Sequence, residues 1–350
     1  MREADKGRDQ YLRIYRKTMD NSICFLAHWE LTYKCNLGCR HCYAAGRKDG
    51  KEFSYEEARP IIDELRDMGC LYLIFSGGEI LMRDDFFDIA SYARGQGFAL
   101  RLMTNATLID EAVSEKIASL YPLAVETSIY AADKDLHDAI TSSAGSFDKT
   151  IKAARLLKER NVRVIFKFLI MNDNIGEFRA VRSLAGEIGA DFVFDFCVVG
   201  KNDGSKAPLR YRLDKEKIKD FFISNDLPLG KKEADDEDLL CIAGLNNIFI
   251  TPHLDVYPCI GLDVKLGNLR EGSLKDIWRS SEELNFVRNI NLPDLPKCKS
   301  CGLAQFCFRC SGIALSEDND ILGPSNFDCS VAAAVSEIAA EKEELINNGK

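Results

Sequence analysis

The chain has no run of 18 or more apolar residues, and its first 20 residues are charged where an export signal would be apolar. Both absences argue against a membrane span and against secretion, and so for a cytoplasmic protein. It also lacks a concentrated basic stretch. Its 46 Lys and Arg are scattered among 55 Asp and Glu, for a net charge of −9 and a pI near 5.2. A nucleic-acid partner needs a dense positive footprint, which this distribution does not offer. There is no solenoid repeat and no low-complexity tract, and histidine is scarce, at four residues. What is abundant is cysteine: 13 in all, ten of them in two sequence clusters. In a cytoplasmic chain such numbers point to metal or cluster ligation rather than to disulfides.

With 350 residues, 46% hydrophobic and 29% charged, the chain is long enough for one large domain or two modest ones. Strand patterns at residues 25–31, 71–75, 98–103, 123–129, 162–170 and 192–199 alternate with helical stripes at 55–68, 84–94, 111–120, 147–160 and 175–188. Repeated strand-helix units require a parallel sheet with right-handed crossovers. Six of them without a dinucleotide phosphate loop predict an α/β fold, a partial (β/α)6 TIM-like barrel. The organisation read from composition is an N-terminal extension (1–24), the barrel (25–200), a linker (201–240) around one helix at 215–223, a small cysteine-rich domain (241–330) and a C-terminal helix within 331–350.

Cys35-x3-Cys39-x2-Cys42 puts three thiols on the loop that leaves the first strand. Structural zinc wants four closed ligands, whereas a 4Fe–4S cluster held by three thiolates keeps one iron open to a ligand. The alternative is a zinc site completed by His41 or a distant residue.

This segment resembles the motif of the radical S-adenosylmethionine (SAM) superfamily. The resemblance implies that the open iron chelates SAM and that an electron from the cluster cleaves SAM to methionine and a 5′-deoxyadenosyl radical. It extends to Ser76-Gly77-Gly78-Glu79 at the end of strand two, which is similar to the family's GGE motif for the methionine amine. Glycines there admit a close backbone approach, and a carboxylate suits an ammonium. Thr104-Asn105 at the end of strand three is similar to the family's TNG, with Ala106 in place of glycine. Ser128 ends strand four where the family often binds the ribose or the SAM carboxylate, and the backbone of His41 falls where adenine is contacted.

Strand parity adds a reading independent of the family. If Ser128 faces the barrel interior, so does Glu126; Asn105 brings Arg101 inward, and Lys167 and Asp195 follow on later strands. Charges in apolar strands are seldom buried alone. Either they form a structural ion network, or Lys167 or Arg101 reaches a carboxylate of SAM or of a substrate. Glu126 and Lys167 are the preferred pair.

Seven cysteines lie beyond residue 240: Cys241, Cys259, Cys298, Cys301, Cys307, Cys310 and Cys329. C-x2-C spacing also occurs in zinc ribbons. The whole set resembles the SPASM extension of radical SAM enzymes, which implies two auxiliary 4Fe–4S clusters and three in total. By that resemblance Cys298, Cys301, Cys307 and Cys329 hold one cluster. Cys241, Cys259 and Cys310 hold the other, one ligand short. Two departures stand out: only Phe308 and Arg309 separate Cys307 from Cys310, and Leu254 occupies the position five before Cys259 where the family has glycine. Gly267-Asn268-Leu269, Ile277-Trp278 and the run from Ser311-Gly312 to Pro324 resemble cluster surroundings in peptide-modifying members, with Trp278 read as helix packing. Of the remaining thiols, Cys24 and Cys70 read as core and Cys197 as a candidate missing ligand. His28, His137 and His253 read as structural or surface groups.

The resemblance implies modification of a peptide or protein side chain, with a flavodoxin- or ferredoxin-type reductant and auxiliary clusters as electron acceptors or substrate ligands. Sulfatase maturation fits less well, because Ile260 stands where those relatives carry a carboxylate. Only 34 residues precede Cys35, so either a separate leader-binding protein presents the peptide or the substrate bears no leader. The other readings are maturation of a small tetrapyrrole or quinone precursor, and a non-catalytic iron–sulfur or zinc protein.

Overall fold

A computed structural model describes residues 3–46, 50–230, 232 and 241–348. Its first half runs α1 (Glu3–Asp20), β1 (Leu26–Thr32), α2 (Tyr55–Asp67), β2 (Tyr72–Gly77), α3 (Phe86–Gly95), β3 (Ala99–Thr104), α4 (Glu111–Ser119), β4 (Ala124–Ser128), α5 (Lys134–Thr141), α6 (Ser146–Glu159), β5 (Val164–Leu169), α7 (Phe178–Ile188) and β6 (Asp191–Asp195). There follow α8 (Lys215–Ser224), three short strands, β7 (Asn247–Ile250), β8 (Asp255–Tyr257) and β9 (Gly267–Asn268), and the helices α9 (Leu274–Ser280), α10 (Glu282–Arg288), α11 (Ser311–Asp318) and α12 (Asn326–Asn348). Most of the acidic part of the expected linker, residue 231 and residues 233–240, lies outside the described residues.

Strands β1 to β6 pair in parallel and in sequence order, which is the expected partial barrel. The convex face of β1 carries Ala27, Trp29 and Leu31, all fully buried under the helices, while its other face carries His28 and Glu30. Parallel strands covered on both sides are normally apolar on both. Polar side chains on the concave face therefore mark it as the working face. Local signals explain the helices: α2 starts at a capping box between Ser54 and Glu57, and buries Ala58, Ile61, Ile62 and Leu65.

Four features differ from the sequence reading. Residues 3–20 form a helix, α1. A further helix, α5, precedes α6. The sixth strand ends at Asp195 instead of reaching residue 199, and the C-terminal helix starts at Asn326 instead of 331, which places Cys329 on its first turn. The cysteine-rich part also does not begin a separate sheet. β7 pairs in parallel with β1, and the hairpin partners β8 and β9 continue the same nine-stranded sheet, in the order β6-β5-β4-β3-β2-β1-β7-β8-β9. The reason is physical: without β7, β1 would be an open edge with an unpaired row of backbone groups.

Candidate active site

The cysteine loop sits at the C-terminal ends of the strands, held from two sides. Gly38 N–H donates to Thr141 O (3.0 Å) and Arg40 N–H to Ile140 O (3.1 Å), both on α5. On the other side Gly78 N–H donates to Thr32 O and Glu79 N–H to Lys34 O, each at 2.8 Å. A Cβ at Gly77 or Gly78 would overlap the carbonyl oxygens of Thr32 and Lys34, respectively, and Gly77 has φ +136°. Only glycines let the two loops close on each other this way.

Cys35 is exposed and Cys39 and Cys42 are half-buried. Leu37 N–H donates to Cys35 Sγ (3.5 Å), and Asn105 Nδ2 lies 3.8 Å from the same sulfur while donating to Asn36 Oδ1 (2.9 Å). Burial pushes the Cys39 thiol up to about 12, and the closeness of Cys42 and Cys35 adds to it. Under these thiols lies Tyr130, its hydroxyl 3.2 Å from His41 Nε2 and the two rings edge to face at 4.7 Å. Burial lowers His41 to about 4, so its ring is neutral.

Glu79 is 0% exposed. It accepts from Thr104 Oγ1 (2.7 Å), Asn105 N–H (2.8 Å) and Leu81 N–H (3.0 Å), so it braces the end of β2 against the end of β3. Burial raises its carboxyl above the ordinary range and the three bonds oppose that. Ala106 keeps the left-handed backbone, φ +62°, that the missing glycine would have supplied; Leu254 does the same with φ +67°. The turn before Cys259 is therefore retained without glycine.

On the concave face, Glu126 is buried between two cations. Lys167 Nζ stands 3.3 Å from its Oε2, and Arg101 pairs with its Oε1. Asp195 does not join them and accepts from Cys197 N–H (2.8 Å) at its own strand end. Opposite, His28 Nε2 is 2.6 Å from Ser76 Oγ, and Tyr43 OH donates to Glu30 at 2.6 Å. His28 is thus an interior group: burial, then Lys167 and Arg101, lower it to about 3.

The second set of thiols falls into two groups by mutual influence. Cys259 is pushed up to about 11 by burial, with Cys241 and Cys310 adding. Cys307 is pushed up to about 11 by burial, with Asp328, Cys329 and Cys298 adding, and Cys329 is raised by burial and by Cys298 and Cys301. These neighbours run along the two ligand sets that the resemblance implies, with Asp328 beside a cysteine of each, Cys307 and Cys310. Backbone N–H groups aim at sulfur here too, Ala243 at Cys241 (3.4 Å) and Gly261 at Cys259 (3.5 Å). Cys197 lies within electrostatic range of Cys310, Asp328 and Arg212. Trp278 packs as expected, donating to Ser22 O (2.7 Å) beneath the Arg288 guanidinium.

Residues 29–185 match the radical SAM superfamily profile, and residues 241–302 match SPASM, an iron–sulfur cluster-binding domain. The chain belongs to the radical SAM superfamily and carries a SPASM domain. Among curated proteins, this radical SAM enzyme is similar to an AdoMet-dependent heme synthase of Methanosarcina barkeri, 28% identical over 85% of this chain and 94% of that one. It is also similar to the mycofactocin maturase MftC of Mycobacterium tuberculosis, 29% identical over 84% of this chain and 79% of that one. Among solved structures, Streptococcus suis SuiB bound to precursor peptide SuiA superposes with TM-score 0.70, at 18% identity over 93% of this chain and 80% of that one. Native anSMEcpe with bound AdoMet does so with TM-score 0.67, at 18% identity over 93% and 100%. Both confirm the fold.

The donor set suits iron–sulfur clusters: ten thiols in two segments, with backbone N–H donors aimed at the sulfurs of Cys35, Cys241 and Cys259. Sequence reasoning missed Tyr130, Glu30, Tyr43 and the His28–Ser76 pair. Tyr130 was within reach of the parity rule that linked Glu126 to Ser128, extended by two residues. Glu30 had a plainer signal, a carboxylate inside an otherwise apolar strand.

Proposed function

We propose that this enzyme modifies a peptide or protein side chain, using three 4Fe–4S clusters, with the maturase relative as the observation that carries the reading. When bound, the first cluster supplies one electron that splits SAM into methionine and a 5′-deoxyadenosyl radical, which takes a hydrogen atom from the substrate. Cys35, Cys39 and Cys42 would hold that cluster. Gly77 and Gly78 draw the end of β2 against the cysteine loop, which would set their backbone beside the methionine end of SAM; Asn105 and Glu79 would fix the wall there, with Ser128 and the His41 backbone toward its sugar and base. The Cys298, Cys301, Cys307, Cys329 set and the Cys241, Cys259, Cys310 set would hold auxiliary clusters that accept the electron left on the substrate. A flavodoxin- or ferredoxin-type protein supplies the reducing electron, and a separate protein presents any leader peptide.

A second reading, a tetrapyrrole-type small-molecule substrate, is favoured by the coverage of the heme synthase, 94% of that relative against 79% of the maturase. The test is iron, sulfide and zinc per chain after anaerobic reconstitution, with 5′-deoxyadenosine measured under dithionite. About 12 irons are expected; about four irons with zinc would remove the auxiliary electron-accepting role. Deoxyadenosine stimulated by a tetrapyrrole and not by precursor peptides would favour the second reading over the first.

A further inference from the structure

Two cations on the concave face of the sheet share one carboxylate, while the other buried carboxylate there, Glu30, accepts from Tyr43 OH. Arg101 and Lys167 both turn to one buried carboxylate, Glu126, whose side chain is 2% exposed. A guanidinium and an ammonium together carry many more N–H donors than one carboxylate accepts. Both cations also keep an open side, at 37% and 44% exposure, although they project from interior strands. Their field crosses the lumen, since both depress the imidazolium form of His28 on β1.

Register fixes the depth of this group. Arg101 sits level with Ile74 of β2 and Ala124 of β4, and Lys167 level with Ser128. Arg101 is four residues before Asn105, about 13 Å deeper at the usual rise of a strand. The SAM motifs occupy the strand ends, so Arg101 lies beneath them. Across the sheet the packing is aromatic: the buried Phe249 meets the His28 ring edge to face at 5.6 Å, and the buried Tyr257 packs on Phe249 at 6.1 Å. Among the described residues β6 is the edge strand of the sheet, and Val193, level with Lys167, is exposed on it.

We propose that Arg101 and Lys167 form a carboxylate-binding site for the substrate of this enzyme, with Glu126 holding the two cations in place. The substrate class is a molecule that presents a free carboxylate, on a peptide or on a ring system. This deepens the proposed radical chemistry and rests on it.

The probe is propionate, followed by saturation-transfer difference NMR on the reconstituted enzyme with oxidised clusters. The expected result is a propionate signal that falls at least five-fold in both Arg101→Met and Lys167→Met, returns in Arg101→Lys and Lys167→Arg, and persists when SAM is added to saturation. Circular dichroism and the melting temperature of each variant report folding separately. No signal in the wild type, or a signal that both Met variants leave unchanged, overturns the site. A signal that SAM displaces but decarboxylated SAM does not would mean that the cations grip the carboxylate of SAM, and would overturn the assignment to substrate. Deoxyadenosine formation by the wild type is the independent readout: its absence sinks the radical reading whatever propionate does.

Discussion

Single residues decide how tightly the site is set. Ala106 and Leu254 hold left-handed backbone that costs an ordinary residue about 1–2 kcal/mol. The sequence marked both as substitutions for glycine, but only the backbone reveals that the turns survive them. Ala106→Gly trades that strain against a buried methyl worth about 0.8 kcal/mol and the greater freedom of unfolded glycine. Its urea midpoint should therefore stay within about 1 kcal/mol of wild type, whereas Ala106→Val should fall by more than about 2 kcal/mol, since β-branched residues fit this region worst.

Glu79 was legible as a motif residue, yet its role as a brace was not, because its partners come from β3. All three are donors, so Glu79→Gln turns an N–H2 toward N–H or O–H groups. The expected outcome is a loss of about 1–3 kcal/mol in chemical denaturation, together with weaker SAM turnover at unchanged iron content. His28, with His41 and His137, which burial also lowers, contributes to the pH dependence. Its folded pKa of about 3 lies below the ordinary 6.5, so the unfolded chain binds the extra proton, and stability falls as pH drops from about 6.5 toward 3. His28→Gln should flatten the stability difference between pH 7.5 and 5.5 by about 1 kcal/mol, as read from urea midpoints at the two pH values.

Among the elements, α5 does the most for the site and was the hardest to foresee. Its eight residues carry three charges and only a short apolar stripe, so periodicity passes over it; the one signal was Asp133, which caps it by accepting from Leu136 N–H. The long helices and the order of β1 to β6 were legible because each repeats an apolar face. Helix α12 was legible in its middle but not at its start, where Phe327 is buried for a tertiary reason: the Arg212 guanidinium stacks over it at 4.4 Å while pairing with Glu317 and donating to Val198 O. The strands, α11 and α12 meet at that arginine. Arg212→Leu leaves Glu317 nearly buried and unpaired, and should cost about 3 kcal/mol in thermal or chemical denaturation, while Arg212→Lys should recover part of it.

For the molecule as a whole, the sequence separated a barrel from a cysteine-rich tail, and the sheet joins them. Composition changes sharply at residue 241, but strand pairing depends on edges, which composition does not record. The thiol groupings come from the family resemblance alone, because Cys310 interrupts the order Cys298, Cys301, Cys307, Cys329 and chain order does not give them. Removing one ligand tests their independence: Cys301→Ala should lower bound iron by about four per chain and leave part of the SAM cleavage. Equal loss of all iron would mean that the tail and barrel fold as one metal-dependent unit.

The pairing of β1 with β7 joins positions more than 200 residues apart, Leu26 to Asn247. During synthesis at about 5–20 residues per second, the first strand of the barrel waits on the order of tens of seconds for its neighbour to leave the ribosome. Throughout that interval the nascent chain carries an unpaired strand edge beside reactive thiols. Yield of active enzyme should therefore depend on the cell's chaperones and on its oxygen level as much as on the stability of the finished fold.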